Sequence, residues 1–292
     1  MMREMKSVPI LPGERADDLQ RDGMFVLQRL DAFRFGADSV LLAAFAAQGR
    51  VGSVRAADLG SGSGVLPLLV CGRVPGARFD AVEIDPAAAD RAARGVRISG
   101  LESRIAVHAV PLEAAPKLLG CGRYDLVVSN PPYGELNGQQ AGALRDAAVR
   151  EGTTDIAAVC RSASKLLRNG GAFCVCFPAR RLAALFAALS AERLEPKRLQ
   201  PVYPAPNREA KLVLVEAVRN AKPGMRVLEA MGFTGETFFA GEGFPRAPSE
   251  GNLLCAVRPS KGGAGGAGRG GTRRTGRRRS GGRGGMRCGF GA

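Results

Sequence analysis

Histidine is almost missing from this chain of 292 residues: His108 stands alone. A His-rich metal site is therefore excluded, as is any Ser-His-Asp triad that does not use His108. The seven cysteines are an odd number with no Cys-x-x-Cys spacing, which reads as reduced thiols of a cytosolic protein. Cys174 and Cys176 alternate along an expected strand and read as packing residues. Long apolar runs are absent as well. Val40 to Ala47 is typical of the longest, far below the ~18 residues that a membrane span needs. The opening stretch, MMREMKSVPILPGER, lacks the apolar segment of a signal peptide. The expectation is a soluble cytoplasmic protein with no membrane partner and no metal.

What is present is enough for one large α/β domain or two small ones, with a hydrophobic content of 45%. The formal charge is +15 and is unevenly spread: nine basic residues and no acidic ones follow Ser260, which leaves +6 for the rest. Residues 260–292 are Gly/Arg low complexity and cannot bury enough apolar surface to offset ordering entropy, so they are expected to be disordered. Such a tail binds nucleic acid through phosphate contacts. A merely solubilising or drifted segment is the alternative.

From residue 54 to 218, short apolar runs alternate with helical stretches, the pattern of a parallel α/β sheet. Strands are expected at Val54 to Leu59, Arg78 to Glu83, Arg104 to His108, Tyr124 to Ser129 and Gly171 to Phe177. Asp85-Pro86 supplies a cap and a first helical residue for a helix to about Ser99. Thr154 is placed to cap a helix that carries Lys165 and Arg168 in its last turn and stops at Gly170-Gly171. Lys197 to Tyr203 and Lys211 to Val218 read as a hairpin, so the sheet should end on an antiparallel edge. The expected divisions are an N-terminal cap (1–50), a main domain (51–220), a weakly patterned extension (221–259) and the tail (260–292).

Two stretches carry chemistry. The first is Asp58-Leu59-Gly60-Ser61-Gly62-Ser63-Gly64, after a strand and before a helix. Glycines there allow a sharp turn and close approach of a ligand to a helix N-terminus. It is not the dinucleotide pattern G-x-G-x-x-G, because the sixth position from Gly60 is Val65. An acidic residue two places before G-x-G-x-G instead resembles the first motif of methyltransferases that use S-adenosyl-L-methionine. The next strand ends in Glu83, followed by Ile84; a carboxylate there can accept both ribose hydroxyls. Asp85 reads as the helix cap.

The second stretch is Asn130-Pro131-Pro132-Tyr133, directly after the strand YDLVVS. Two prolines end a ladder and fix the backbone. The stretch resembles the [DNS]-P-P-[YFW] motif of amino-methyltransferases. An exocyclic amine on a ring is a poor nucleophile because its lone pair is delocalised. If the Asn130 side-chain carbonyl and the Pro131 backbone carbonyl accept its two N–H groups, the lone pair is freed toward a methyl donor. Tyr133 offers a face for base stacking, worth roughly 1–3 kcal/mol. Catalysis of this kind is positioning and electrostatics.

These motifs, together with LDAFRFGADSVLLAAFA, REGTTDI and KRLQPVYPAPNREAKLVLVEAVRNAKPGMRVL, resemble the bacterial tRNA1(Val) (adenine-37-N6)-methyltransferase family over about residues 24–228. The resemblance implies a Rossmann-like class I fold: a mainly parallel seven-stranded sheet with an antiparallel C-terminal hairpin and helices on both faces. It implies S-adenosyl-L-methionine as cofactor, and N6 of an unpaired adenine in RNA, with tRNA the expected partner. It places Asp38 near the methionine end of the cofactor, unless Asp38 is simply the cap of its helix. Arg180, Arg181, Lys197, Arg198, Arg208 and Lys211 are candidate phosphate contacts. The chain departs from the family after the third strand, where His108-Ala109-Val110 replaces the usual Gly-Asp. A glutamine-amide methyltransferase and a non-catalytic RNA-binding scaffold remain as alternatives.

Overall fold

The computed structural model describes residues 8–31, 35–132, 155–205, 208–234 and 237–240. Tyr133, Thr154 and the Gly/Arg tail lie outside these residues.

The chain opens with a hairpin of β1 (Glu14–Asp18) and β2 (Phe25–Arg29), a separate two-stranded sheet, followed by α1 (Ala37–Ala47). Then come β3 (Val54–Leu59), α2 (Val65–Arg73), β4 (Ala77–Glu83), α3 (Pro86–Ile98), β5 (Ile105–Ala109), α4 (Ala115–Leu119) and β6 (Tyr124–Ser129). After the break follow α5 (Ile156–Leu166), β7 (Leu167–Pro178), α6 (Leu182–Ala191), β8 (Leu194–Tyr203) and β9 (Leu212–Arg219). Three short strands close the described part: β10 (Arg226–Val227), β11 (Met231–Thr234) and β12 (Thr237–Ala240).

Seven strands form the body of the sheet in the order β5-β4-β3-β6-β7-β9-β8. β3 to β7 are mutually parallel, whereas β9 is antiparallel to both β7 and β8. The expected seven-stranded sheet with an antiparallel hairpin is therefore present. β10 and β11 add to β8, and β12 to β11, so the sheet continues to ten strands. Adjacent residues of a strand point to opposite faces, and here both faces are covered. Leu126, Val128, Cys174 and Cys176 pack with α1 and α2, while Val127, Phe173, Val175 and Phe177 pack with α5 and α6. The two cysteines are fully buried packing residues.

The chain runs from β3 outward to β5, then returns to β6 on the other side of β3. Such a reversal leaves a crevice beyond the carboxyl ends of the two central strands, where ligands of open α/β sheets bind. Ser129 Oγ donates to the Leu59 carbonyl at 2.7 Å, fastening the tips of β6 and β3 together. The glycine loop and the Asn-Pro-Pro turn thus leave the sheet side by side.

Local rules hold at α3, where Asp85 accepts from the Ala87 N–H at 3.0 Å and Pro86 opens the helix. They fail at α5. Its cap is Asp155, which accepts from Ala157 N–H at 3.0 Å, rather than Thr154. It ends at Leu166, so Arg168 and Gly170 belong to β7. Strand pairing wins over the glycine signal: Leu167 pairs with Tyr124 and Ala172 with Leu126, so a bulge absorbs the residues between them.

The N-terminal hairpin is tied to α3 by Arg94, which is 4% exposed. Its two terminal nitrogens donate to both oxygens of Glu14 at 2.6 Å, and its Nε donates to Asp90 at 2.8 Å. Hydrogen bonding from Arg94 holds the Glu14 carboxyl below the usual carboxylate range. Arg94→Lys keeps the charge and loses the planar fork. It is expected to cost about 2 kcal/mol of stability, seen as a lower unfolding midpoint in urea. An unchanged midpoint would remove this pair from the fold's anchors.

Among the described residues, no helix is long and apolar enough to cross a membrane.

Candidate active site

The glycine loop is stitched to the end of β4. Backbone N–H groups of Gly60 and Ser61 both donate to the Val82 carbonyl at 2.9 Å. Gly62 N–H donates to Glu83 Oε2 at 2.7 Å, and Asp85 N–H donates to Glu83 Oε1 at 3.0 Å. Glu83 therefore clamps the loop to the start of α3, while each of its oxygens keeps a further acceptor direction. Gly62 has φ +55° and Gly64 φ +76°, the left-handed region that side chains disfavour. A Cβ on Gly62 would meet no protein atom within 4 Å, so the loop presents an open face. A Cβ on Gly64 would lie 3.2 Å from that of Ala92, so that glycine serves the packing of α3.

Asp58 lies beneath this loop and is fully buried. Its Oδ2 accepts from Ser61 Oγ at 2.7 Å, but Oδ1 is buried with no partner. Burial pushes the Asp58 carboxyl up to about 7, against the Ser61 hydrogen bond and with help from the Glu83 charge. A buried carboxylate oxygen without a donor is costly. It fits a ligand that brings a positively charged N–H group, such as the amino-acid end of S-adenosyl-L-methionine. Ile84, 68% exposed at the tip of β4, offers an apolar face beside Glu83 suited to a planar base. The donor set and the open glycine face fit this cofactor.

His108 is engaged by Asp80. Its Nε2 is 2.9 Å from Asp80 Oδ1, and Tyr124 donates its hydroxyl to Asp80 Oδ2 at 2.7 Å. Burial opposes ionisation of Asp80, but these two hydrogen bonds hold its carboxyl below the usual range.

Asn130 follows β6, with Pro131 buried and Pro132 exposed behind it. Its Nδ2 donates to Asp38 Oδ2 at 2.9 Å and to Ser39 Oγ at 3.1 Å. Asp38 is not the cap of α1: Gly36 holds that position, and Asp38 sits in the first turn. The helix starts two residues earlier than a cap at Asp38 would require, and the Asp38 carboxylate meets Asn130 instead. Sequence reasoning missed Ser39, since nothing in the spacing ties residue 39 to residue 130.

The candidate phosphate contacts divide. Arg180, Arg208 and Lys211 are exposed, and Arg181 lies over the Phe177 ring at 5.3 Å. Lys197 donates to the Lys222 carbonyl at 3.0 Å. Arg198 must be withdrawn as a phosphate contact. It is 9% exposed, pairs with Glu216 at 2.8 Å and stacks on Phe45 at 4.5 Å. A cleft of about 730 Å³ opens at the amino ends of β3 and β6, bordered by Arg50, Asp125 and Arg168, on the opposite edge from these motifs.

A family profile described as "Methyltransferase small domain" matches residues 19–180. A tRNA1(Val) (adenine(37)-N6)-methyltransferase of Porphyromonas gingivalis is 33% identical over 189 residues, covering 63% of this chain and 74% of the relative. One of the same name from Yersinia pestis is 33% identical over 198 residues, covering 66% of this chain and 75% of the relative. Among solved structures, a predicted O-methyltransferase of Agrobacterium tumefaciens superposes with a TM-score of 0.54 at 23% identity, over 66% of this chain and 85% of its own, and shows the fold. On these matches the chain belongs to the methyltransferase small domain family and, within it, to the tRNA1(Val) (adenine(37)-N6)-methyltransferase family.

Proposed function

We propose that this protein transfers a methyl group from S-adenosyl-L-methionine to N6 of an unpaired adenine in RNA, with tRNA as the substrate. The observation that carries the proposal is the side-by-side exit of the open glycine loop and the oriented Asn130, joined through Ser129 and Leu59. The glycine loop with Asp58 and Ser61 would hold the amino-acid end of the cofactor, Glu83 the ribose, and Ile84 the base. Bound there, the cofactor supplies an electrophilic methyl group on a sulfonium.

The chain's own residues act on the target amine. The Asn130 side-chain carbonyl and the Pro131 backbone carbonyl accept its two N–H groups, which draws the lone pair out of conjugation. Tyr133 stacks on the base. The surplus proton on nitrogen passes to water, so the site's work is orientation and electrostatics. A loop adenine reaches such a pocket at little unpairing cost. The cytoplasm, where such a substrate is found, is the expected compartment.

The test is transfer of labelled methyl to unmodified bulk tRNA, followed by nucleoside analysis. Labelled N6-methyladenosine is the expected product. Label that enters only protein, or cofactor binding without labelled tRNA, would overturn the substrate assignment. The nine basic residues after Ser260 add phosphate contacts in this reading. Ending the chain at residue 259 should therefore flatten the salt dependence of tRNA binding. The slope of log K against log salt should fall by about 0.7–0.9 for each phosphate no longer engaged.

A further inference from the structure

The reaction needs an acceptor at the tip of Asn130, yet an amide is ambiguous. Its oxygen and nitrogen ends have nearly the same shape, and half a turn about χ2 exchanges acceptor for donor. Flipped, Asn130 would set N–H against the N–H of a target amine. Something must decide which end faces the substrate, and α1 carries it. Asn130 Nδ2 has two hydrogens and meets two acceptors there, Asp38 Oδ2 at 2.9 Å and Ser39 Oγ at 3.1 Å. A carboxylate accepts and does not donate, so it cannot pair with the amide oxygen. The Asp38 carboxylate is itself held, because its Oδ1 accepts from the Ser39 backbone N–H at 2.9 Å. Ser39 is 5% exposed, which keeps water from competing for the hydroxyl.

We infer that Asp38 and Ser39 are positioning residues that lock the Asn130 amide with its carbonyl toward the target amine. This rests on the reading of Asn130 as the acceptor of that amine. The clamp also explains why an amide suits this position. Asn130→Asp would bring a second carboxylate against Asp38 with no hydrogen between them. Asn130→Ser would leave a side chain too short to span from α1 to a substrate.

The variants are Asp38→Asn, Ser39→Ala and Ser39→Thr in the full chain. Asp38→Asn keeps size and offers a donor, so the flipped amide becomes acceptable. Its kcat should fall roughly 10- to 100-fold, with KM for RNA and affinity for S-adenosylhomocysteine within about threefold of wild type. Ser39→Ala should lose about 10-fold in kcat, and Ser39→Thr, which restores the hydroxyl, should recover most of it. The Asn130 side-chain amide protons, assigned in a ¹⁵N spectrum by their loss in Asn130→Ala, should exchange slowly in wild type and faster in Asp38→Asn and Ser39→Ala. This readout needs no substrate.

Wild-type kcat in Asp38→Asn, or full recovery of its rate at saturating cofactor, would overturn the inference and leave Asp38 as a cofactor contact. Amide protons that exchange equally fast in wild type and variants would overturn it as well. Failure of the parent reading looks different: the wild-type protein would then place no methyl on RNA while its amide protons remained protected.

Discussion

Asn130→Ala is expected to reduce methyl transfer to RNA by about 10²- to 10³-fold while cofactor affinity stays within a few-fold of wild type. The size follows from removing one preorganised polar group aimed at charge that develops in the transition state. The Pro131 carbonyl would remain, since the backbone there is set by two prolines and not by the Asn130 side chain. One of two acceptors cannot draw the lone pair out of the ring as effectively as both. Asn130→Asp should not rescue the loss, because Asp38 already places a carboxylate at hydrogen-bond distance from that site. Single-turnover rates at saturating cofactor, with affinity measured by calorimetry, separate the two quantities. Transfer within a few-fold of wild type in Asn130→Ala would remove this residue from the reaction.

Asp58→Asn is expected to weaken cofactor binding by roughly 10- to 100-fold, the loss of one charge-assisted hydrogen bond. It should also make the cofactor-free protein less sensitive to pH. The carboxyl of Asp58 is raised from 3.8 to about 7, chiefly by burial. Folding therefore favours its protonated form. Its contribution to stability is complete below about pH 4 and is lost progressively as pH rises toward 7. A shift of this size corresponds to something on the order of 4 kcal/mol across that window. Asp58→Asn cannot ionise and removes that pH-dependent part, although its amide leaves a buried donor in place of the orphaned oxygen. A cation at Oδ1 reverses the balance by favouring the carboxylate, so wild-type cofactor affinity should increase with pH up to about 7 and then level off. Unfolding midpoints from pH 4 to 8, with and without S-adenosylhomocysteine, test both parts. Flat affinity between pH 5 and 8, or an Asp58→Asn variant that binds normally, would show that Oδ1 does not meet the ligand.

Both predictions depend on features that differ in how far they can be read from the chain itself. β3 and β6 occupy the same residues that their apolar runs mark out, Val54–Leu59 and Tyr124–Ser129. Strands buried on both faces need continuous apolar stretches, and glycine or proline ends them within a residue or two. The Asp85 cap and the left-handed glycines are equally local, since a cap reaches two residues and φ belongs to one. Alternation of strands and helices then leaves few topologies, because parallel crossovers share one hand. The two motifs on which the proposed site rests, the loop and the turn, therefore follow from sequence alone.

Tertiary structure decided whatever joins residues far apart. Asn130 meets an acceptor 92 positions earlier, and no local rule reaches that distance. The hairpin of β8 and β9 was legible, but which of its strands lies against β7 was not. β9 takes the inner place with Val213, Val215 and Ala217 buried, while β8 carries Pro196 and Pro201, which cannot donate to a ladder. That placement buries Arg198 on Glu216 and removes it from the surface, although Pro196 and Lys197 just before it are partly exposed. Residue type and short spacing determined where the glycine loop and the Asn-Pro-Pro stretch begin and end. Only the order of strands in the sheet brought them together and set Asp38, read from the chain as a cofactor neighbour or a helix cap, against Asn130, because a contact's free energy depends on distance in space and not along the chain.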